Sequence, residues 1–192
     1  TLEAIAGEKA GIVKPGRPVV TGSLPEEAAR VVARCAAEAG APLAVLGRDL
    51  HVELLGEPTL SGVALAIRDG DLAVETRISV AGRHQAANAA LAVGCVRRLA
   101  AHAPDVLSAA VRAGLPAAEL PGRIEVLAER PFVVVDAAHT ERSARALADA
   151  IAPLRRRRTR LVLSVSSDKR LDAILAALLP LADEVFVTRA EP

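Results

Sequence analysis

The stretch Pro131-Phe132-Val133-Val134-Val135-Asp136-Ala137-Ala138-His139-Thr140 decides the fold class. An apolar, β-branched run ends abruptly on a carboxylate, small residues follow, and a helical pattern opens at Glu141 and runs to Leu154. A buried strand feeding a helix in this way is the unit of a parallel sheet covered by helices. The unit recurs downstream. Arg160–Val165 reads as a strand, Leu171–Leu181 as a helix and Glu184–Thr188 as a strand, while Ile124–Leu127 supplies one more strand upstream. Strands rich in Val, Leu and Ile alternating with helices predict a parallel α/β domain over residues 119–192. Too few units occur for a comfortable doubly wound sheet, so truncation is expected at this end.

Upstream of Gly122 the punctuation differs. Leu2–Ala10 has helical character and stops at Gly11, with Pro15-Gly16 beyond it. Arg17–Thr21 is a strand candidate, and Pro25-Glu26-Glu27 opens a helix to Gly40 with acidic residues in its first turn. Strand candidates follow at Leu43–Leu46, His51–Leu55, Val63–Arg68 and Leu72–Ser79; the last two flank the hairpin signal Asp69-Gly70-Asp71. Helices are expected at Gln85–His102 and Asp105–Ala113. Pro116 and Pro121 punctuate a short connector, which places a boundary near Ala118–Pro121 and a separate first domain at residues 1–118.

A length of 192 residues suits one large or two small domains. No apolar run approaches the ~18 residues needed to cross a bilayer, and the opening TLEAIAGEKAG has neither a basic nor a hydrophobic signal region. The chain contains no Met, so it is expected to be a piece of a longer protein. A net charge of +1 gives no global field toward nucleic acid or anionic membranes. Arg155-Arg156-Arg157-Arg158 reads as a solvated helix C-terminus, and with so few aromatic residues to stack bases a nucleic-acid role is not expected. Cys35 and Cys95 lie among Ala and Val without motif spacing and read as buried thiols of a reducing cytoplasm. Of 24 cationic residues only Lys9, Lys14 and Lys169 are Lys, so each Lys stands where Arg was the default.

Five short segments carry candidate chemistry. In Gly7-Glu8-Lys9-Ala10-Gly11-Ile12, Lys9 fits a cation in a last helical turn. A primary amine can also add carbon dioxide and become a carbamate, offering oxygens to a hard cation such as Mg²⁺. In Gly82-Arg83-His84-Gln85-Ala86-Ala87-Asn88, the alanines mark a packed helix face on which the Asn88 amide needs a partner. Donor and acceptor side by side match the N6 and N7 edge of adenine. His84 reads as a packing or capping residue. In Leu120-Pro121-Gly122-Arg123, Arg123 is either a surface charge or a phosphate clamp. Asp136 and His139 stand at the carboxyl end of a strand, where such sheets bind ligands. Asp136 could accept from a ribose or merely cap the next helix, and His139 could meet a phosphate or carboxylate. In Ser164-Val165-Ser166-Ser167-Asp168-Lys169, an N-cap by Ser167 or Asp168 competes with substrate binding.

In order and spacing, IAGEKAGIVKPGRPVV, GRHQAANAALAV, LPGRIEVL, PFVVVDAAHT and SVSSDK resemble the folylpolyglutamate synthase/dihydrofolate synthase family, the folate branch of the Mur ligases. The resemblance implies the C-terminal part of a Mur-ligase-type ATPase domain followed by a Rossmann-like domain, truncated at both ends, with ATP held between the two. It implies that Lys9 is the carbamylated, magnesium-binding and catalytic lysine, that Asn88 contacts adenine, Arg123 the phosphates and Asp136 the ribose. His139 then acts at the γ-phosphate, and Lys169 and Asp168 at the incoming glutamate. The implied activity is ATP-dependent ligation of L-glutamate to dihydropteroate or folate, in a cytoplasmic enzyme expected to be a monomer. Two departures stand out: Ala137 where the family has Gly, and Thr140 where it usually has Asn. No G-x-x-x-x-G-K-[ST] phosphate loop occurs in these 192 residues, so the segment by itself is expected to be inactive. A non-catalytic nucleotide-binding or scaffold module derived from such a ligase is the alternative.

Overall fold

A computed structural model describes residues 1–99, 104–154, 158–166 and 169–188. The chain divides into two units. One comprises Thr1–Glu57, Ala64–Ile78 and Gln85–Ala118, and the other Pro58–Val63, Ser79–His84 and Glu119–Pro192.

In the first unit, helix α1 (Leu2–Ala10) starts at Thr1, whose hydroxyl accepts the Ala4 N–H at 3.2 Å. Strands β1 (Val19–Thr21) and β2 (Leu43–Val45) pair in parallel, with helix α2 (Glu26–Glu38) as the crossover between them. Ala6 of α1 packs on Ala28 and Val31 of α2, with Cys35 at the margin. Strands β3 (Leu50–Leu54), β4 (Val63–Asp69) and β5 (Leu72–Ile78) form a separate three-stranded sheet. The period-2 burial along β5 is what its alternating sequence requires. Leu50, Val63, Leu65, Ile67 and Leu72 are fully buried.

Helix α3 (His84–Leu99) buries Gln85, Ala86, Ala89, Ala90, Val93 and Gly94. Gly94 marks a close approach: a Cβ there would lie 3.0 Å from Leu50 Cδ1 and 3.3 Å from Val20 Cγ1. That contact offsets the usual penalty for glycine inside a helix. Helix α4 (Pro104–Gly114) packs on β5 through a face containing Leu107 and Val111. Cys95 is exposed and Cys35 half-buried, both as free thiols, so the burial expected for them from their neighbours fails. On α3 the packed stripe runs through Ala90, Val93 and Gly94, and Cys95 falls beside it.

An ionic tie fixes the β4–β5 hairpin to α3. Asp69 is almost fully buried and accepts from both Arg98 guanidinium nitrogens, at 2.5 and 3.1 Å. Arg97 reaches Asp71 at 2.5 Å and lies 3.3 Å from Asp69. A buried carboxylate of this kind is tolerable only while it is paired.

In the second unit, β6 (Glu125–Glu129) and β7 (Phe132–Val135) form an antiparallel pair with an irregularity at Leu127. This corrects the expectation that both belong to a parallel sheet. Only Arg130 and Pro131 separate them, and a link that short can reverse the chain but cannot make a crossover. The α/β pattern holds beyond it. Helix α5 (Glu141–Ile151) is followed by β8 (Arg160–Leu163), α6 (Leu171–Leu178) and β9 (Glu184–Val187), with β8 and β9 parallel. Ala144, Leu163, Ile174 and Leu178 form the core of this unit. Arg158 pairs with Glu184, as Arg160 does at 2.7 Å, so this member of the four-Arg run is a strand-end ion pair and not a solvated helix terminus. The other three arginines lie outside the described residues. No helix among the described residues is long and apolar enough to cross a membrane.

The Asp69 tie yields a stability prediction. Arg98→Ala strands the buried carboxylate with one imperfect partner and should cost about 2–3 kcal/mol in urea unfolding. Asp71→Asn, at an exposed partner, should change stability by less than about 0.5 kcal/mol. Equal effects of the two substitutions would contradict this assignment.

Candidate functional site

Leu120-Pro121-Gly122-Arg123 folds as a tight turn. Pro121 presets the second position, Gly122 takes φ +67°, and the Arg123 N–H donates to the Leu120 carbonyl at 3.2 Å. The next residue, Ile124, is buried and has φ +51°. A β-branched side chain is strained in that region by roughly 1–3 kcal/mol and needs support from its surroundings.

Asp136 supplies that support. Its Oδ2 accepts the Ile124 N–H at 2.8 Å and its Oδ1 accepts the Ala138 N–H at 2.8 Å. The Ala137 N–H donates to the Gly122 carbonyl at 2.8 Å, and the Gly122 N–H donates to Glu125 Oε2 at 2.7 Å. The turn before β6 and the loop after β7 are thereby laced together, and Arg123 and Asp136 become neighbours. Arg123 is exposed and makes no ion pair among the described residues.

The capping reading of Asp136 is set aside by the same bonds. The N-cap of α5 is Thr140, whose hydroxyl accepts the Ser143 N–H at 3.2 Å, while the Thr140 N–H donates to Ser143 Oγ at 3.0 Å. The pair is a capping box with Ser at the third position. Thr140, the departure from the family pattern, thus has a local structural role. His139 precedes the cap and is exposed. Its Nδ1 lies 2.9 Å from the Ala137 carbonyl. A carbonyl only accepts, so Nδ1 carries the proton and Nε2 is left for another partner.

His84, read from sequence as a packing or capping residue, stands over the same turn. A Cβ on Gly82 (φ +103°) would lie 2.7 Å from His84 Cε1 and 3.2 Å from Ile124 Cδ1, so glycine is needed where ring and isoleucine close in. Partial burial pushes the imidazole below its ordinary 6.5; Asp136 opposes the fall, and Arg123 and Arg142 add to it. Gly82, forty-odd residues upstream of Ile124 in sequence, gave the one available hint, as a glycine just before a helix start.

In the first unit, Lys9 is exposed near the end of α1, and its Nζ donates to Glu8 Oε1 at 3.0 Å. Gly11 ends α1 with right-handed backbone and no left-handed cap. Asn88 is not on the packed face of α3, as the flanking alanines had suggested: it is exposed, and its Nδ2 donates to Gln85 Oε1 at 2.7 Å. The buried amide is Gln85, one helical turn earlier. Sequence reasoning missed it because Gln and Asn carry the same signal there. Lys169 is half-buried just beyond β8, and its N–H donates to the Ser166 carbonyl at 3.1 Å. Asp168 and Ser167 lie outside the described residues, and α6 begins after Arg170 without a side-chain cap. Among the described residues, no three of His, Cys, Asp and Glu gather as metal ligands would.

Within the second unit, then, His84, Arg123, Asp136 and His139 belong to one laced loop system at the carboxyl end of β7. Residues 122–192 match the Mur ligase, glutamate ligase domain family, which defines the class of this unit. The dihydrofolate synthase/folylpolyglutamate synthase of Bacillus subtilis is 38% identical over 154 residues, covering 78% of this chain and 35% of the relative. The enzyme of the same description from Mycobacterium tuberculosis is 36% identical, covering 97% of this chain and 40% of the relative. The crystal structure of Mycobacterium tuberculosis folylpolyglutamate synthase complexed with ADP and AMPPCP matches with a TM-score of 0.86 at 32% identity, over 99% of this chain and 44% of that one. A folylpolyglutamate synthase–AMPPCP–folate complex matches with a TM-score of 0.87 at 28% identity, over 100% of this chain and 47% of that one. The chain belongs to the folylpolyglutamate synthase/dihydrofolate synthase family of Mur ligases. It spans about two fifths of the length of these curated relatives.

Two outcomes check the site. Asp136→Ala leaves two N–H groups without their acceptor and should cost about 2 kcal/mol, with faster amide exchange at Ile124 and Ala138; unchanged exchange at both would refute the tie. His84 gives a pH signature. Its folded value lies below its unfolded one, so its contribution is present above about pH 6.5 and lost as pH falls through the folded value. Wild type should therefore lose more stability than His84→Gln between about pH 7.5 and about pH 5. Parallel curves would show that His84 titrates alike in both states.

Proposed function

We propose that this chain serves an ATP-dependent amide ligase that joins L-glutamate to dihydropteroate, to a folate, or to both. The observation that carries the reading is the hydrogen-bonded lacing of the turn that holds Arg123 to the loop that holds Asp136, in a chain one of whose structural relatives was crystallised with ADP and AMPPCP. In this reading the substrate carboxylate attacks the γ-phosphorus of ATP, and ADP leaves. The glutamate amine then attacks the acyl carbon, phosphate departs, and the amine gives up a proton. Such chemistry asks a protein mainly for positioning and charge neutralisation.

Each candidate residue takes a part. Asp136 has both oxygens engaged by backbone N–H groups, yet carboxylate oxygens hold further lone pairs for ribose hydroxyls. Arg123 offers a guanidinium to phosphate. Asn88 offers its amide edge to adenine, with Gln85 fixing the amide orientation. His139 Nε2 and the Lys169 amine are assigned to the transferred phosphate and the incoming glutamate. Asp168 keeps its assignment to glutamate from sequence alone.

Magnesium fits the residues near Lys9. The Nζ is exposed, as carbon dioxide addition requires, and the Glu8 carboxylate is adjacent, so a carbamate and Glu8 would present oxygens only. Bound there, Mg²⁺ would offset the charge repulsion between triphosphate and substrate carboxylate.

An enzyme carrying this segment should make the amide from ATP, L-glutamate and either dihydropteroate or a reduced folate. Lys9→Ala should lower its kcat by about a hundredfold or more, with partial recovery in added short carboxylates. Full activity of that variant removes Lys9 from the mechanism. Absence of turnover with both acceptors favours the non-catalytic module instead.

A further inference from the structure

A cavity of about 460 Å³ opens wholly within the first unit, lined by none of the residues given a part above. The sheet explains how it arises. Alternation puts Ala66 and Arg68 on one face of β4, and Ala73 and Glu75 on one face of β5. The residues between them, Leu65, Ile67, Leu72 and Val74, are buried in the core. An alanine side chain stops at one carbon, so Ala66 and Ala73 make a low floor among long charged side chains. Ala66 is buried although it stands on the outward face, as a residue at the bottom of a groove must be. Helix α4 packs on β5 and adds a wall through Arg112 in its last turn. Three charged side chains thus line the cavity, and they do not pair with one another. Arg68 has only Glu53 Oε2, at 3.9 Å and beyond hydrogen-bond reach. Glu75 and Arg112 are exposed and make no ion pair among the described residues. The dipole of α4 favours a cation at Arg112. It does not account for a carboxylate and a second guanidinium around the same alanine floor.

We propose that Arg68, Glu75 and Arg112 form a binding site for an acidic α-amino acid, a ligand with two carboxylates and one ammonium group. Charge matching decides the class. Two guanidinium groups meet two carboxylates, each able to hold its partner by two parallel N–H bonds, and Glu75 accepts from the ammonium. The alanine floor takes the methylene groups between them. No aromatic side chain lines the cavity, so a flat ring would find nothing to stack on. The site goes beyond the ligase reading and does not depend on it. It needs no nucleotide, and its residues have no part in the proposed catalysis.

The test is a titration of the isotope-labelled 192-residue chain with L-glutamate at constant ionic strength, without nucleotide, read by NMR at the Ala66, Ala73 and Arg112 amides. Saturable shifts are expected at all three. Glutarate lacks the amine and L-glutamine lacks the second carboxylate, so each should bind about tenfold more weakly. Arg112→Gln and Glu75→Gln should each weaken L-glutamate binding about tenfold, and Glu75→Gln should leave glutarate binding no weaker. Arg145→Gln, on the second unit, should change nothing. These side chains are exposed, so the substitutions leave folding intact. Absence of saturable shifts, wild-type binding by Arg112→Gln, or glutarate bound as tightly as L-glutamate overturns the proposal. Shifts confined to Lys169 and its neighbours overturn it too, while supporting the separate assignment of Lys169 to glutamate.

Discussion

The Asp136 carboxylate holds together the two loops of the second unit's candidate site. One oxygen accepts the N–H of Ile124, a residue strained at positive φ, and the other accepts the N–H of Ala138 beyond the end of β7. Without that acceptor the Ile124 backbone would relax toward ordinary β geometry, and Arg123 would be carried with it. The Ala137 to Gly122 bond closes the same ring of contacts from the other side. A strained residue persists where its surroundings over-determine it, and such places gather at functional sites. Here the strain sits one residue from the arginine assigned to phosphate.

Much of this was legible in the sequence, for local reasons. Pro121-Gly122 announces a turn because Pro fixes one φ and Gly permits the opposite sign at the next position. The cap of α5 was not read correctly: Asp136 was the candidate, whereas Thr140 and Ser143 form the capping box. The Asp69-Gly70-Asp71 hairpin and the β8–α6–β9 unit follow from turn chemistry and from runs of branched residues.

What stayed hidden depends on distance along the chain. Apart from Gly82, nothing near His84 says that its ring and Ile124, forty residues later, come up against the same glycine. The buried pairing of Asp69 with Arg98 spans a comparable distance. The antiparallel turn of β6 and β7 was missed for another reason. Two short apolar runs look alike in either direction, and only the length of the Arg130-Pro131 link decides between them. Asn88 and Gln85 differ by three residues on a helix with alanines on several sides, so periodicity alone did not tell which amide is buried.

We propose that the loop ring of Gly122–Ile124 and Asp136–His139 receives a nucleotide. The most direct test is a crystal structure of an enzyme carrying this segment, grown with AMPPCP and magnesium. Ribose hydroxyls are expected within hydrogen-bond distance of Asp136 and phosphate oxygens on the Arg123 guanidinium, with the Ile124–Asp136 bond intact. A nucleotide bound in full occupancy elsewhere, with Arg123 and Asp136 facing only solvent, would contradict it.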